Sequence, residues 1–214
     1  MSHKAQHTVR YYNRLSSKYD RLYSAYLAHT HEQLLKRLDF QDTGSLEVLD
    51  LSAGTGILAE KLIETFGPPA RLVLNDPAEM MLDIAKERLR HFPDVEYHAH
   101  FAEELNRLDG SFDHIICLNS FHYFVDQPLV LDHIRKLLKP GGTLWMQDWN
   151  RKGLFRIAIR LIDLLSPEHI SARNIDEMKS MLKERDFQIH DEEQWRFRWW
   201  NFFFLKASLP DKPE

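Results

Sequence analysis

The chain of 214 residues holds one cysteine, Cys117, so it cannot close an internal disulfide and has no cysteine pair to grip zinc. A reducing, cytoplasmic setting is the expectation that follows, with no metal site. No run of about 18 apolar residues occurs, so no transmembrane helix is expected. The opening stretch MSHKAQHTVRYYNRL has no apolar core of the kind a secretory signal needs. Basic residues are not in excess. Lys and Arg number 28 against 32 Asp and Glu, for a net charge of −4, which lacks the footprint of a protein that grips nucleic acid. No internal repeat or low-complexity tract appears. What is present is ordinary globular material, 43% hydrophobic and 28% charged, in a length that suits one domain.

Period and punctuation divide that length. Residues 8–38 read as helical, with Leu15, Tyr19, Leu22, Tyr23 and Tyr26 on one face. Short apolar runs at 46–51, 71–75, 95–99, 112–118 and 143–148 read as strands. They alternate with helical stretches at 56–66, 77–91 and 127–138, and Lys139-Pro140-Gly141-Gly142 reads as a turn. Asp76 is the expected N-cap of the helix at 77–91, with Pro77 at its first position. Two more helices are expected at 153–165 and 174–185, then closing strands near 187–197 and 198–207. Strict alternation predicts an α/β fold with a doubly wound, mostly parallel sheet. The division is a helical cover at 1–40, a core at 46–150, a helical cap at 151–186 and closing strands at 187–207, all within one domain.

The most informative stretch is Val48-Leu49-Asp50-Leu51-Ser52-Ala53-Gly54-Thr55-Gly56. A buried strand ends here and a helix starts at once. Gly54 and Gly56 let the backbone bend sharply and approach a ligand closely. Asp76 closes the next strand, 20 residues after Gly56. In doubly wound sheets that position reaches a ribose hydroxyl pair, and a carboxylate accepts from both hydroxyls at once.

VLDLSAGTG resembles the first motif of the class I methyltransferases that use S-adenosylmethionine. Asp50, Gly54 and Gly56 match the pattern of an acid followed by spaced glycines, while Ser52 replaces the first glycine. LVLNDPAEMM resembles the second strand with its ribose-binding acid. Asp76 takes that role, with Asn75 as the alternative register. GSFDHIICLNSFHYF and LKPGGTLWMQDW resemble the fourth and fifth strands with their loops. The resemblance implies a Rossmann-like, seven-stranded sheet with an antiparallel last strand. It implies S-adenosyl-L-methionine as cofactor and S-adenosyl-L-homocysteine as product. The implied contacts are Asp50, Ser52, Ala53, Gly54, Gly56, Asp76, Pro77, Ala102, Asn119 and Tyr19. Where the family carries an adenine-binding Asp, this chain has Phe101. That ring either stacks on the adenine or turns into the core, and Glu103 is a substitute acceptor.

The implied reaction is in-line attack on the sulfonium methyl of the cofactor by a small-molecule acceptor. Residues in reach should follow the fourth and fifth strands: Asn119, Ser120, His122 and Tyr123, then Asp148 and Trp149. His122 is the candidate base, since its unperturbed pKa lies near neutrality. Asp148 either orients it or binds a cationic acceptor. Tyr11, Tyr12 and Tyr19 either close over the sulfonium, which favours aromatic faces, or only pin the first helix. The stretch at 153–165 is basic and amphipathic and could lie on a membrane. The reading preferred is a cover on pocket and sheet. Trp199 to Phe204 reads as core strand. Asn119-Ser120-Phe121-His122 lacks the prolines of DNA amino-methyltransferases, so nucleic acid is not the expected partner. The expected assembly is a monomer or homodimer. Two other readings compete. One is a cofactor-binding, non-catalytic partner in a larger assembly, which should expose a large apolar patch. The other is a nicotinamide dehydrogenase, disfavoured because Ser52 crowds the first glycine position.

Overall fold

Each short apolar run becomes a strand, and each amphipathic stretch becomes the helix that covers it. The computed structural model describes residues 3–165, 168 and 170–210. Its strands are β1 (Glu47–Asp50), β2 (Arg71–Asn75), β3 (Glu96–His98), β4 (Phe112–Leu118), β5 (Leu138–Trp149), β6 (Gln188–Phe197) and β7 (Trp200–Ser208). Its helices are α1 (His3–Leu22), α2 (Ser24–Leu35), α3 (Ile57–Phe66), α4 (Glu79–Arg88), α5 (Gln127–Leu137), α6 (Phe155–Leu165) and α7 (Ile175–Lys183).

The strands form one sheet in the order β3-β2-β1-β4-β5-β7-β6. β1 to β5 are mutually parallel, and β7 runs antiparallel between β5 and β6. The expected doubly wound sheet with one reversed strand is therefore present. The chain order turns back between β1 and β4, so the carboxyl ends of those strands flank an open crevice. Both faces of the central strands are buried. One carries Leu49, Ile115, Met146 and Leu205 against α5 and α7, and the other carries Val48, Leu74, Ile116 and Trp145 against α2, α3 and α4.

Several boundaries differ from the expectation. The single helix of 8–38 is two, because the chain bends at Tyr23. The i to i−4 bonds from Tyr23 N–H to Tyr19 and from Leu27 N–H to Tyr23 survive the bend. Asp76 is not the N-cap of α4. That place belongs to Ala78, and Pro77 lies outside the helix. The Asp76 carboxylate instead accepts the Ala78 N–H at 2.8 Å, which tightens the approach to α4. Lys139–Gly142 lies within β5 as an irregularity in its pairing with β4. The aromatic run 199–204 splits in two: Phe202, Phe203 and Phe204 are core, while Trp200 is half-buried and Trp199 is exposed. The cover expected at 153–165 is α6. It buries Phe155 and Ile159 against Trp149 and Phe202, and its other apolar stripe faces outward.

Gly56 shows why glycine is required at the bend. Its φ is +77°, and a Cβ there would stand 2.9 Å from the Ala85 Cβ and 3.2 Å from its Cα. The α3–α4 approach thus depends on a missing methyl group. Gly56→Ala should destabilise the chain by about 1–2 kcal/mol from the left-handed backbone alone, with the clash added to that. Gly54→Ala, also left-handed at φ +53° but open within 4 Å, should cost less. Urea unfolding of both variants checks the order, and equal losses would contradict it.

Candidate active site

The crevice at the carboxyl ends of β1, β2 and β4 continues into a cavity of about 330 Å³, roofed by α1, α2 and α6. Its inner end is the glycine bend. Leu51 N–H is tied to Ile116 O and Ala53 N–H to Asn75 O, so the bend is held by the strands on both sides. Ser52, Ala53 and Gly54 line the cavity. Ser52 is not left-handed, so replacing a glycine there costs no backbone strain.

Asp76 and Asn75 divide the two roles that the sequence left in alternative registers. Asn75 is fully buried. Its amide donates to Leu51 O and His100 O, and its oxygen accepts the His100 N–H. It sews the ends of β1, β2 and β3 together and has nothing to offer a ligand. Asp76 lines the cavity, and its second oxygen accepts the Gly54 N–H at 2.9 Å. Burial raises its carboxyl to about 6, against the pull of the Ala78 and Gly54 N–H groups. Asp50, also on the wall, is raised to about 7 by burial and then by the charge of Asp76, opposed by the Ser52 N–H. Two acids thus share one small, desolvated bend.

Pro77, Phe101 and Ala102 form the adjoining wall, so Phe101 turns toward the cavity and not into the core. Glu103 also lines it, but its Oε1 accepts the N–H groups of Val125 and Asp126 and so secures the loop after β4. Asn119 ends β4 in the left-handed region at φ 52°, on the wall, with a buried Oδ1 that has no partner. His31 of α2 faces the same space. Its Nδ1 is buried and unpartnered, and burial lowers its pKa to about 3, so it is neutral.

The outer end is aromatic. Tyr19 and Tyr26 line it together with Trp149 and Trp200. Trp149 Nε1–H donates to the Tyr26 hydroxyl at 2.8 Å. Tyr12 and Tyr123 touch hydroxyl to hydroxyl at 2.7 Å, and each donates to Glu168 Oε1, at 2.5 and 3.1 Å. Burial raises both phenols well above their ordinary range, so they remain donors to the carboxylate. Tyr11 is not on the wall. It packs edge-on against Tyr12 at 5.3 Å and hydrogen-bonds Tyr23.

His122 and Asp148 are brought together, although not at the cavity. Nδ1 of His122 lies 2.5 Å from Asp148 Oδ1, and the His122 backbone N–H donates to Oδ2 at 3.0 Å. The imidazole stacks on Trp149 with centroids 4.2 Å apart and rings 12° from parallel. Both side chains are buried, and neither lines the cavity. This corrects the expectation of a base in reach of an acceptor: the pair stands behind Trp149 and sets its orientation. Of the expected catalytic residues, Tyr123 alone faces the cavity. Gly56 stands behind the bend, against Ala85.

The cover is anchored by Arg88. Its guanidinium donates to Asp20 of α1 at 2.6 Å, to Glu60 of α3 at 2.9 Å and to the carbonyl of Thr55 at 2.8 Å, while the Thr55 hydroxyl also donates to Asp20. Neither His31 nor Glu168 was singled out from sequence. His31 had one signal, its four-residue spacing from Leu27 on the apolar stripe of α2, whereas Glu168 sits in a connection with no period to read.

Comparison with known proteins agrees with this geometry. Residues 19–192 match the family described as "Methyltransferase domain". A ubiquinone/menaquinone biosynthesis C-methyltransferase, UbiE, of Escherichia coli O1:K1 is 31% identical over 69% of this chain and 61% of its own length. The UbiE protein of Hahella chejuensis is 26% identical over 71% of this chain and 63% of its own length. The matched part therefore spans a little over three-fifths of these relatives. Among solved structures, the magnesium protoporphyrin IX methyltransferase ChlM of Synechocystis PCC 6803, with bound SAH, superposes with a TM-score of 0.76 at 16% identity. That superposition covers 96% of this chain and 99% of the other. The strand order, the glycine bend with its acid one strand over and the family match together place this chain among the class I S-adenosylmethionine-dependent methyltransferases.

Proposed function

We propose that this chain transfers the methyl group of S-adenosylmethionine to a small-molecule acceptor held in the aromatic outer end of the cavity. The observation that carries this reading is the continuity of the space. One end is bounded by a glycine bend and a buried carboxylate, and the other by tyrosines, tryptophans and Glu168. A non-catalytic partner would need only the first end.

The residues present fit the cofactor. A Cβ on Gly54 would meet nothing within 4 Å, so the bend borders open space. Asp76 offers its carboxylate to a hydroxyl pair. His31 Nδ1 and Asn119 Oδ1 are buried polar atoms that lack a partner in the chain and suit the polar tail of the donor. Phe101 offers a ring face where the family has an acid. When bound, S-adenosylmethionine supplies an electrophilic methyl on a sulfonium. Tyr19, with its pKa raised mainly by burial, keeps a neutral aromatic face toward that region.

At the acceptor end the chain orients and dries. Tyr12 and Tyr123 hold Glu168, and Glu168 is the group placed to receive a proton from an acceptor hydroxyl or amine. Trp149, fixed by the His122–Asp148 pair and Tyr26, forms a flat wall that limits how an acceptor can lie. Alignment of acceptor and methyl is the main task in such displacements.

Three outcomes test the reading. Asp76→Ala should weaken S-adenosylhomocysteine binding by roughly 1–3 kcal/mol, the scale for losing a charged hydrogen-bond partner. Calorimetry with the product and with NAD is the direct check, and binding of NAD instead would reject the reading. The second outcome concerns pH. A carboxyl raised from 3.8 to about 6 keeps its proton in the folded chain where the unfolded chain has lost it. Product affinity should therefore climb as pH rises through about 6 and level off above it, because hydroxyl donors need the ionised form. Stability of the unliganded chain should fall as pH climbs from about 4 to about 7, because Asp50 and Asp76 ionise later folded than unfolded. Asp76→Asn should flatten the affinity profile. Third, in a screen of phenolic and amine acceptors with methyl-labelled donor, Glu168→Gln should lower kcat by about 10²-fold or more. Product affinity should stay as in the parent, and an unchanged kcat would remove Glu168 from the proton path.

A further inference from the structure

α6 carries apolar side chains on two faces. Phe155 and Ile159 are buried, and Ile162 lines the cavity. The second face is open: Leu154 is 84% exposed, Leu165 80%, Leu164 78%, and Ile157 and Leu161 53% each. At about 3.6 residues per turn these five fall on one continuous arc along α6 and the residue before it. Arg156 and Arg160 border the arc on one side, between it and the buried Ile159, both exposed, and Lys152 precedes the helix. Neither arginine has an ion-pair partner among the described residues. Asp163 is the one acid of α6, and it is engaged by the Ile170 N–H. Trp199, in the turn between β6 and β7, is 44% exposed and meets Phe155 edge-on at 5.7 Å, with Arg196 and Arg198 exposed beside it.

Five exposed aliphatic side chains on one helix, with cations along one border and an indole at the rim, are the composition of a helix that lies in a lipid interface. The whole chain is acidic, so the attraction is local to this face. Pairing of the face with a second copy of itself would bring its arginines together. Anionic headgroups neutralise them. We propose that α6 and the β6–β7 turn dock this protein on an anionic bilayer surface. Ile162 lines the cavity from α6, and the exposed Trp199 lines it from the rim of the patch, so the mouth of the cavity opens beside the docked face. On the reading of the site given above, and resting on it, the acceptor is then a molecule with an apolar portion that partitions into lipid.

Sedimentation of the full chain with vesicles separates docking from chemistry, because it needs neither cofactor nor turnover. The chain should pellet with vesicles of equal parts phosphatidylcholine and phosphatidylglycerol, remain largely in solution with phosphatidylcholine alone, and be released by high salt. Replacing three leucines together, by Leu154→Ser, Leu164→Ser and Leu165→Ser, should weaken vesicle binding by about tenfold or more, since each buried leucine contributes strongly. Product binding in calorimetry should be unchanged. These side chains are exposed, so retained product affinity also reports a folded variant. Arg156→Glu with Arg160→Glu should remove the preference for the anionic lipid. Docking is overturned if the parent stays in solution with both vesicle types, or if the leucine variant binds them as the parent does. It is equally overturned if the parent is a dimer or a complex that the leucine substitutions dissolve. Loss of product binding in the parent chain, with vesicle binding intact, would count against the methyltransferase reading alone.

Discussion

The Asp76 carboxylate is the constraint around which this site is built. One oxygen holds the Gly54 N–H and the other the Ala78 N–H, so a single side chain sets both the bend after β1 and the lead into α4. The position is desolvated, and Asp50 stands close enough to raise the cost of a second charge. The bend thus sets two carboxyls in one desolvated place, where burial and the charge of Asp76 hold back the ionisation of Asp50. A ligand with hydroxyl donors and a positive charge relieves both, which is why a donor nucleoside with a sulfonium suits the place electrostatically as well as sterically.

The rest of the structure serves to keep that bend open on one side and covered on the other. Asn75 joins the ends of three strands, so the floor cannot spread. The missing Cβ of Gly56 lets α3 lie against Ala85 of α4. α1 and α2 then close the top, bringing tyrosines from the first 26 residues against Tyr123 from the loop after β4 and Trp200 from the last strand. The outer end of the cavity is thus assembled from distant parts of the chain, whereas the inner end comes mostly from two adjacent strand–helix turns.

That difference explains what could be read from sequence. The sheet, the bend and the position of Asp76 beside it are local patterns: apolar runs of strand length, glycines at a strand–helix junction, and an acid at a fixed distance downstream. The bend at Tyr23 was hidden because the apolar stripe continues across it. The position of His122 was misjudged for a related reason. Its loop is local, but its burial is decided by Asp148 and Trp149, which lie 26 and 27 residues on and arrive through strand pairing. Glu168 matters only because two tyrosines from other elements converge on it, and no spacing encodes that meeting. The outward stripe of α6 was visible as hydrophobicity. Which of its two apolar faces would be covered depends on the depth of the groove it sits in, and that is a tertiary fact.

The two ends of α1 are held by different forces. Near its C-terminus Asp20 is bolted to Arg88 and Thr55, and nearer its N-terminus Tyr12 is held by ring edges and one shared carboxylate. Charge therefore fixes where the C-terminal end of α1 sits over the glycine bend, while ring packing sets how closely its tyrosine end approaches the loop after β4.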